Sequence, residues 1–318
     1  MSGSRTEIQG VEGRRCQSSV DQEAHVRADL DTLLIAVYCA ACSLFPAPEP
    51  KPRRGRPQKI TDNELICLMV AQMLLGYPSE RRFLPAAGWR LSHLFPHLPA
   101  QSTYNERCRA LAPKLVTLWR AISAELPGFH DSLSFVDTTP LPCGQSVQTT
   151  NRSALAPWCG FGYSAAHSRF YWGMRLVLWC GPDGCVRDFD LVPANAPERE
   201  AVLALLCRQP IAGQLVIADK GFAGAEFEQA VGALGASLLR PSRADEPERP
   251  HPPIGRLRQR IESIVQSLKY QLRLEHHLAR TAAGLLTRIA ARILALTAAI
   301  HLNWQLGKPA RALSAYAH

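Results

Sequence analysis

The chain changes character at residue 131, and that change constrains its fold more than any other feature. Before it, apolar residues recur at helical spacing; after it come short β-rich runs. SLSFVD (132–137), FYWGMRLVLWC (170–180) and VRDFDLV (186–192) read as three strands, the last two joined by the turn GPDG. PEREAVLALLC (197–207) reads as a helix, QLVIAD (214–219) as a fourth strand, Gly224 to Gly235 as a helix and ASLLRPS (236–242) as a fifth strand. From Arg256 to about Trp304 the pattern is strongly helical, with a break expected at Gly284. A three-strand meander followed by strand–helix alternation, β-β-β-α-β-α-β-α, predicts an α/β fold: a mixed sheet with flanking helices.

Two of these strands end in an acid, Asp137 and Asp219. Acids at strand C-termini stand at the sheet edge where sites gather in α/β folds. A third acid, Glu262, lies on the last helical stretch in RLRQRIESIVQSLKYQ, alone among six basic residues between Arg249 and Arg273. Three carboxylates can hold two Mg²⁺ about 4 Å apart for phosphoryl chemistry. Arg258 is four residues before Glu262 and Lys269 seven after, so on a regular helix all three share one face. Either the pair grips phosphates beside the acid, or Arg258–Glu262 is a surface ion pair with Lys269 solvated.

The charge distribution suits an anionic partner. Lys and Arg number 36 against 27 Asp and Glu, a net +9, and 30 of the 36 are Arg. Residues 131–243 are near neutral, with 9 basic and 10 acidic side chains; residues 244–318 hold 11 and 5. The first fifteen residues carry no apolar signal region, Thr32 to Phe45 is too short to span a bilayer, and Gly284 to Trp304 is interrupted by Arg288, Arg292 and His301. No membrane role is expected. The ten Cys are scattered; the single CxxC, Cys39 and Cys42, suits a buried helix face, and a reducing cytosol is expected.

Upstream of residue 131, residues 1–28 read as a polar tail and Asp29 to Leu44 as a helix, halted by the basic Pro-rich linker PAPEPKPRRGRP. Arg53, Arg54 and Arg56 in RRGRP resemble the core of a minor-groove AT-hook; the alternative is a solvated linker. Three helices follow, opened by Thr61 or Asp62, by Ser79 and by Gln101 to Thr103. An Arg-bearing third helix is compatible with a helix-turn-helix or with a plain scaffold. The expected organisation is therefore residues 1–60 as tail, short helix and linker, 61–130 as a helical DNA-binding region, 131–305 as the catalytic domain and 306–318 as a tail.

In this order the blocks resemble the DDE transposases of bacterial insertion sequences over roughly residues 60–305. FVDTTPLPC resembles the first-Asp block and IADKGF (217–222) the second. Arg258, Glu262 and Lys269 match the signature around the catalytic Glu, and LVPANAPERE and GLLTRIAARILALTAAIHLNW resemble flanking blocks. The chain departs from the pattern at Gly255, where the signature often has Tyr, at Arg175-Leu176-Val177 in place of Lys-Leu-His, and at Glu198 in place of Asp. The resemblance implies an RNase-H-like catalytic domain after an all-α region, with Asp137, Asp219 and Glu262 as catalytic metal ligands for Mg²⁺ or Mn²⁺. It implies DNA contacts by Arg258 and Lys269, to which Lys220 adds a backbone-phosphate candidate. The partners would be double-stranded element ends and target DNA, the state a homodimer, and the place the cytoplasm at the bacterial nucleoid. Rival readings are a catalytically silent DNA-binding regulator and an RNase-H-like nuclease without strand transfer.

Among secondary candidates, His167 and the His276-His277 pair read as structural or solvated. Asn151 and Arg152 lie in a long loop, and Trp172 and Trp179 suit core packing better than base stacking, a role also considered for Trp158. Neither GxGxxG nor GxxxxGK[ST] occurs.

Overall fold

The computed structural model describes residues 27–46, 58–164, 168–247 and 255–317, with the side chains of 147 and 255–258 outside the description. Arg53, Arg54, Arg56 and His167 therefore lie outside the described residues, as does the Arg258 side chain.

The helical region consists of α1 (Leu30–Leu44), α2 (Asp62–Leu74), α3 (Glu80–Arg90), α4 (Gln101–Ala110), α5 (Ala112–Ala124) and the single turn α6 (Pro127–His130). The starts of α1 and α2 are where side-chain caps fall. Asp29 Oδ1 accepts the Thr32 N–H at 2.9 Å. Thr61 and Glu64 form a reciprocal capping box, Thr61 Oγ1 accepting from Glu64 N–H at 3.2 Å and Glu64 Oε2 from Thr61 N–H at 2.6 Å. Ser79 stands at the N-cap of α3 without a side-chain cap bond. The third expected helix is in fact two, because Pro113 lacks the N–H that would continue α4 and instead begins α5. Arg107 of α4 turns inward, donating to Asp62 at 2.7 Å and to the Ile60 carbonyl at 2.9 Å.

The sheet holds β1 (Leu133–Gly144), β2 (Gly160–Ser164), β3 (Arg169–Cys180), β4 (Val186–Pro193), β5 (Leu215–Ile217) and β6 (Ser237–Leu239). Its main order is β4-β3-β1-β5-β6, with β4, β3 and β1 antiparallel and β1, β5 and β6 parallel. This is the RNase-H-like arrangement. The short β2, which the sequence did not reveal, pairs with the first part of β3 on the edge that β4 occupies further along. The helix α7 (Val147–Arg152) lies between β1 and β2; α8 (Glu198–Leu206) and α9 (Ala225–Ala233) join the later strands.

Strand alternation sorts side chains onto two cores. Phe135, Leu176, Leu178 and Cys180 face a core shared with α1, α2, α4, α5 and the long C-terminal helix α11 (Ala282–Gln305). Val136, Val177, Trp179 and Val216 face a smaller core under α8 and α9. Trp172 and Trp179 are buried, as expected, whereas Trp158 is exposed. The helix α11 is long and apolar enough to cross a membrane, but 83% of its apolar stretch is buried inside the protein. The final residues pack back onto it: Tyr316 is buried and donates to Asn303 Oδ1 at 2.6 Å.

Three expectations are corrected. β1 does not end at Asp137; it continues to Gly144 by pairing with β3 after its parallel partner β5 has stopped at Ile217. The C-terminal break is not at Gly284, which lies in the first turn of α11, its N–H donating to the Thr281 cap at 3.1 Å. Instead α10 (Gly255–Gln266) passes into a π-type turn over Ser267–Gln271, and the chain then bends at Arg273, left-handed with φ 53°. The cause is Arg292 of α11, fully buried, which donates to the carbonyls of Leu272 at 2.8 Å and Arg273 at 3.1 Å. Those carbonyls are thereby satisfied without a continuing helix. Finally, Cys39 is exposed and Cys42 half-buried, so the CxxC is not on the buried face of α1.

A second buried arginine sets the sheet. Arg187 of β4 is 2% exposed and donates to the carbonyls of Gly128, Asp131 and Leu133 at 2.6–2.9 Å and to Gln214 Oε1 at 2.9 Å. It thus ties the entries of β1 and β5 together. Arg187→Met leaves these acceptors unpaired in the core. At roughly 1–3 kcal/mol for each buried unsatisfied group, a loss of at least about 2 kcal/mol is expected. Urea unfolding of the full chain measures it.

Candidate active site

Asp137 and Asp219 stand at equivalent places on neighbouring strands. Phe135 of β1 pairs with Ile217 of β5, and each acid follows two residues later. Side chains two apart point the same way, so the parallel register itself brings the carboxylates to one side. Each is fixed by a short backbone contact: Asp137 Oδ1 accepts the Thr138 N–H at 2.7 Å and Asp219 Oδ1 the Lys220 N–H at 2.6 Å. The latter caps a 3₁₀ turn over Lys220–Phe222.

These acids line a cleft of about 490 Å³. Glu262 of α10 and Lys269 of the π-type turn line it as well. Ile261, Ile264 and Leu268 are buried on the other side of that segment, so core packing turns Glu262 and Lys269 outward together. The one-face argument thus holds for this pair across a π-type turn rather than a regular helix. Lys269 Nζ lies 3.4 Å from Glu275. Lys220 is exposed beside the cleft and is not among its lining residues. A larger cavity of about 570 Å³, between α2, α4 and α11, is lined by Glu80, Tyr104 and Arg288 and contains none of the strand-borne acids.

The cleft also holds residues that the sequence marked only as departures from a pattern. Arg175 of β3, almost buried, pairs with Glu198 at the start of α8 at 3.2 Å and donates to the Ala196 carbonyl at 2.8 Å. Both line the cleft, so the Arg at 175 and the Glu at 198 are matched to each other. Thr138, Thr139, Tyr163 and Tyr270 are among the other residues of its walls. Tyr163 was missed with its strand; Tyr270 directly follows Lys269 and had no signal of its own. Asn151 and Arg152 are exposed on α7, and His276 is exposed, but His277 is buried, correcting the expectation of a solvated pair.

Loss of water around the half-buried Asp137 carboxyl pushes it up to about 7. The negative charges of Asp219 and Glu198 add to the rise; the Thr138 N–H and the Lys269 ammonium oppose it. A cluster of hard carboxylate oxygens that resists holding its full negative charge is a donor set suited to Mg²⁺ or Mn²⁺. Among the described residues no group of three or more His, Cys, Asp and Glu is gathered closely enough to hold an ion without movement. The carboxylate oxygens lining the cleft are of the chemistry that fits such an ion.

Residues 128–298, more than half of the chain, match the transposase DDE domain family. The chain belongs to the DDE transposase family. The matched span of this family member includes the whole sheet, the cleft and most of α11. Among solved structures it is similar to a piggyBac transposase synaptic complex with hairpin DNA, at 11% identity and TM-score 0.36, covering 72% of this chain and 54% of that one. No curated protein matches the chain.

The raised Asp137 carboxyl has a measurable sign. An acid whose folded value lies above its unfolded value, about 3.9, supports folding fully below that unfolded value. The support is lost as pH rises toward the folded value of about 7. In chelator-treated protein, the melting temperature should therefore fall between about pH 4 and 7. Asp137→Asn should flatten that part of the profile, as differential scanning calorimetry would record.

Proposed function

We propose that the chain is a transposase that binds the ends of an insertion element, cuts the DNA there and joins the freed 3′-hydroxyl to target DNA. The observation that carries this reading is the common cleft lined by Asp137, Asp219, Glu262 and Lys269. Both reaction steps are in-line displacements at phosphorus, in which positioning and charge do most of the work.

Asp137, Asp219 and Glu262 are the residues that would hold Mg²⁺, with Mn²⁺ as a substitute. When bound, the metal activates the attacking oxygen and offsets charge on the leaving one. Lys269 presents an ammonium at the cleft, and Arg175 a guanidinium already held by Glu198; both set positive charge where a phosphate would lie. Arg258, Lys220 and the arginines at 53, 54 and 56 are proposed DNA contacts outside that cleft's described lining. Because two element ends must meet, the working form is a homodimer. It acts on nucleoid DNA in the bacterial cytoplasm.

The test is cleavage and joining of a labelled duplex taken from the DNA flanking the reading frame, with Mg²⁺. Glu262→Gln should retain duplex binding and lose cleavage by roughly a hundredfold or more. Metal charge stabilisation is worth several kcal/mol, and about 1.36 kcal/mol is tenfold. Binding without cutting by the unaltered protein under either metal would favour a silent regulator. Cutting without transfer into a second plasmid would favour a nuclease.

A further inference from the structure

Arg260 of α10 lies two residues before Glu262, which on a helix is about 200° round the axis. It therefore points away from the cleft, toward the β3–β4 turn, where its Nη1 donates to the Pro182 carbonyl at 2.8 Å. Arg311, on the chain that folds back after α11, meets it there. Its Nη1 donates to the Arg260 carbonyl at 2.9 Å. The two side chains line one concavity of about 500 Å³, with Asp183 and Ser263. An adjoining hollow of about 260 Å³ shares Arg260 and Asp183 and adds Lys308.

The place is built rather than accidental. The returning chain is pinned to α11: the Lys308 backbone N–H donates to the Asn303 carbonyl at 2.8 Å, and Asn303 Nδ2 to the Ala310 carbonyl at 3.0 Å. Gly184 of the β3–β4 turn has a φ of 98°, and a Cβ there would stand 3.2 Å from Arg311 Cδ. The turn is thus shaped to let the arginine stem pass.

Two guanidiniums drawn together repel each other. The acids that share these hollows are engaged with backbone. Asp183 accepts the Gly128 N–H at 3.0 Å and the Cys185 N–H at 2.9 Å, and Asp131 accepts the Leu133 N–H at 2.8 Å. Among the described residues each arginine spends one of its five N–H donors on the protein, on a carbonyl, and neither forms an ion pair. Burial, together with the Arg260 charge, lowers Arg311 below the usual arginine value. An anion that takes the unused donors relieves the repulsion, and two guanidinium forks match the oxygens of a phosphate. Arg260 and Lys308 are exposed and Arg311 is half-buried, so the site lies open at the surface. It suits a phosphate within a strand passing over it, with Lys308 beside a neighbouring one.

We propose that Arg260 and Arg311, with Lys308 beside them, hold backbone phosphates of duplex DNA at a second contact outside the catalytic cleft. The inference rests on the reading that the chain handles DNA, and it gives that DNA a place on the opposite face of α10. Phosphate contacts carry no base sequence, so a duplex of any sequence fits. Residues 306–318, which read as a tail in the sequence, supply part of this surface.

The experiment is fluorescence anisotropy of a labelled duplex of arbitrary sequence with the full chain, without divalent metal, between about 50 and 200 mM salt. Each phosphate contact contributes about 0.9 to the salt slope. Arg260→Gln and Arg311→Gln should each lower the slope by that amount. The affinity lost across this salt range then becomes roughly threefold smaller, and about tenfold smaller in the double variant. Arg311→Lys keeps the charge and should keep the slope. Arg260→Gln should melt no lower than the unaltered chain, which sets lost binding apart from misfolding. The proposal is overturned if both Gln variants bind duplex with the unaltered slope. It is overturned in favour of the free ion if duplex binding is unchanged while inorganic phosphate, against chloride at equal ionic strength, raises the melting temperature of the unaltered chain and not of Arg260→Gln. Failure here leaves cutting at the cleft untouched, whereas a chain that binds through these arginines but never cuts overturns the transposase reading alone.

Discussion

The contact on which the rest of the site depends is the guanidinium of Arg187. It comes from β4, separated from β5 by β3 and β1, yet its hydrogen bonds reach the carbonyls at the entry of β1 and the Gln214 amide before β5. A buried charge needs every donor used, and here its donors are aimed at main-chain and amide oxygens. The geometry that satisfies the charge is also the geometry that starts the two strands in register. Once Leu133 faces Leu215, Phe135 must face Ile217, and the two acids that follow must arrive on one side. Burial of one cation thus sets the register of the two strands that carry the acids further along.

Arg292 performs the related task at the C-terminal end. By taking the Leu272 and Arg273 carbonyls it replaces helical partners and lets the chain turn without glycine or proline. Burial lowers its own pKa to about 9, a measure of how strongly the core resists the charge it uses. The turn it stabilises follows directly on Lys269 and carries the chain to His277, so it positions both the cleft lysine and the imidazole beside Cys143.

The strands carrying Asp137 and Asp219 were legible because β-rich runs ending in an acid are short and distinct, and the α8 and α9 helices because their spacing is regular. The elements that escaped did so for local physical reasons. β2 is five residues of Gly, Phe, Tyr and Ser whose aromatic side chains are exposed, so it lacks the apolar–polar alternation of a half-buried strand. The extension of β1 past Asp137 runs through Thr-Thr-Pro-Leu-Pro, where prolines argue against a strand; they are tolerated where β5 no longer pairs and only one edge needs hydrogen bonds. The break at residue 273 is written in Arg292, nineteen residues downstream, and no window of local sequence contains it. The Arg175–Glu198 pair was visible only as two mismatches to a familiar pattern; their partnership is a tertiary fact.

The long β1 has a consequence for precision. Asp137 lies within a twelve-residue strand and Asp219 immediately beyond a strand locked to it, so neither can travel without shearing a ladder. Glu262 rides instead on an amphipathic helix whose hold is the docking of Ile261, Ile264 and Leu268. Two vertices of the carboxylate triangle are therefore set by the sheet, while the third is set by the docking of a helix, like the moving jaw of a vice. Evolution can retune the gape of such a tool by repacking one apolar seam, leaving the anvil untouched.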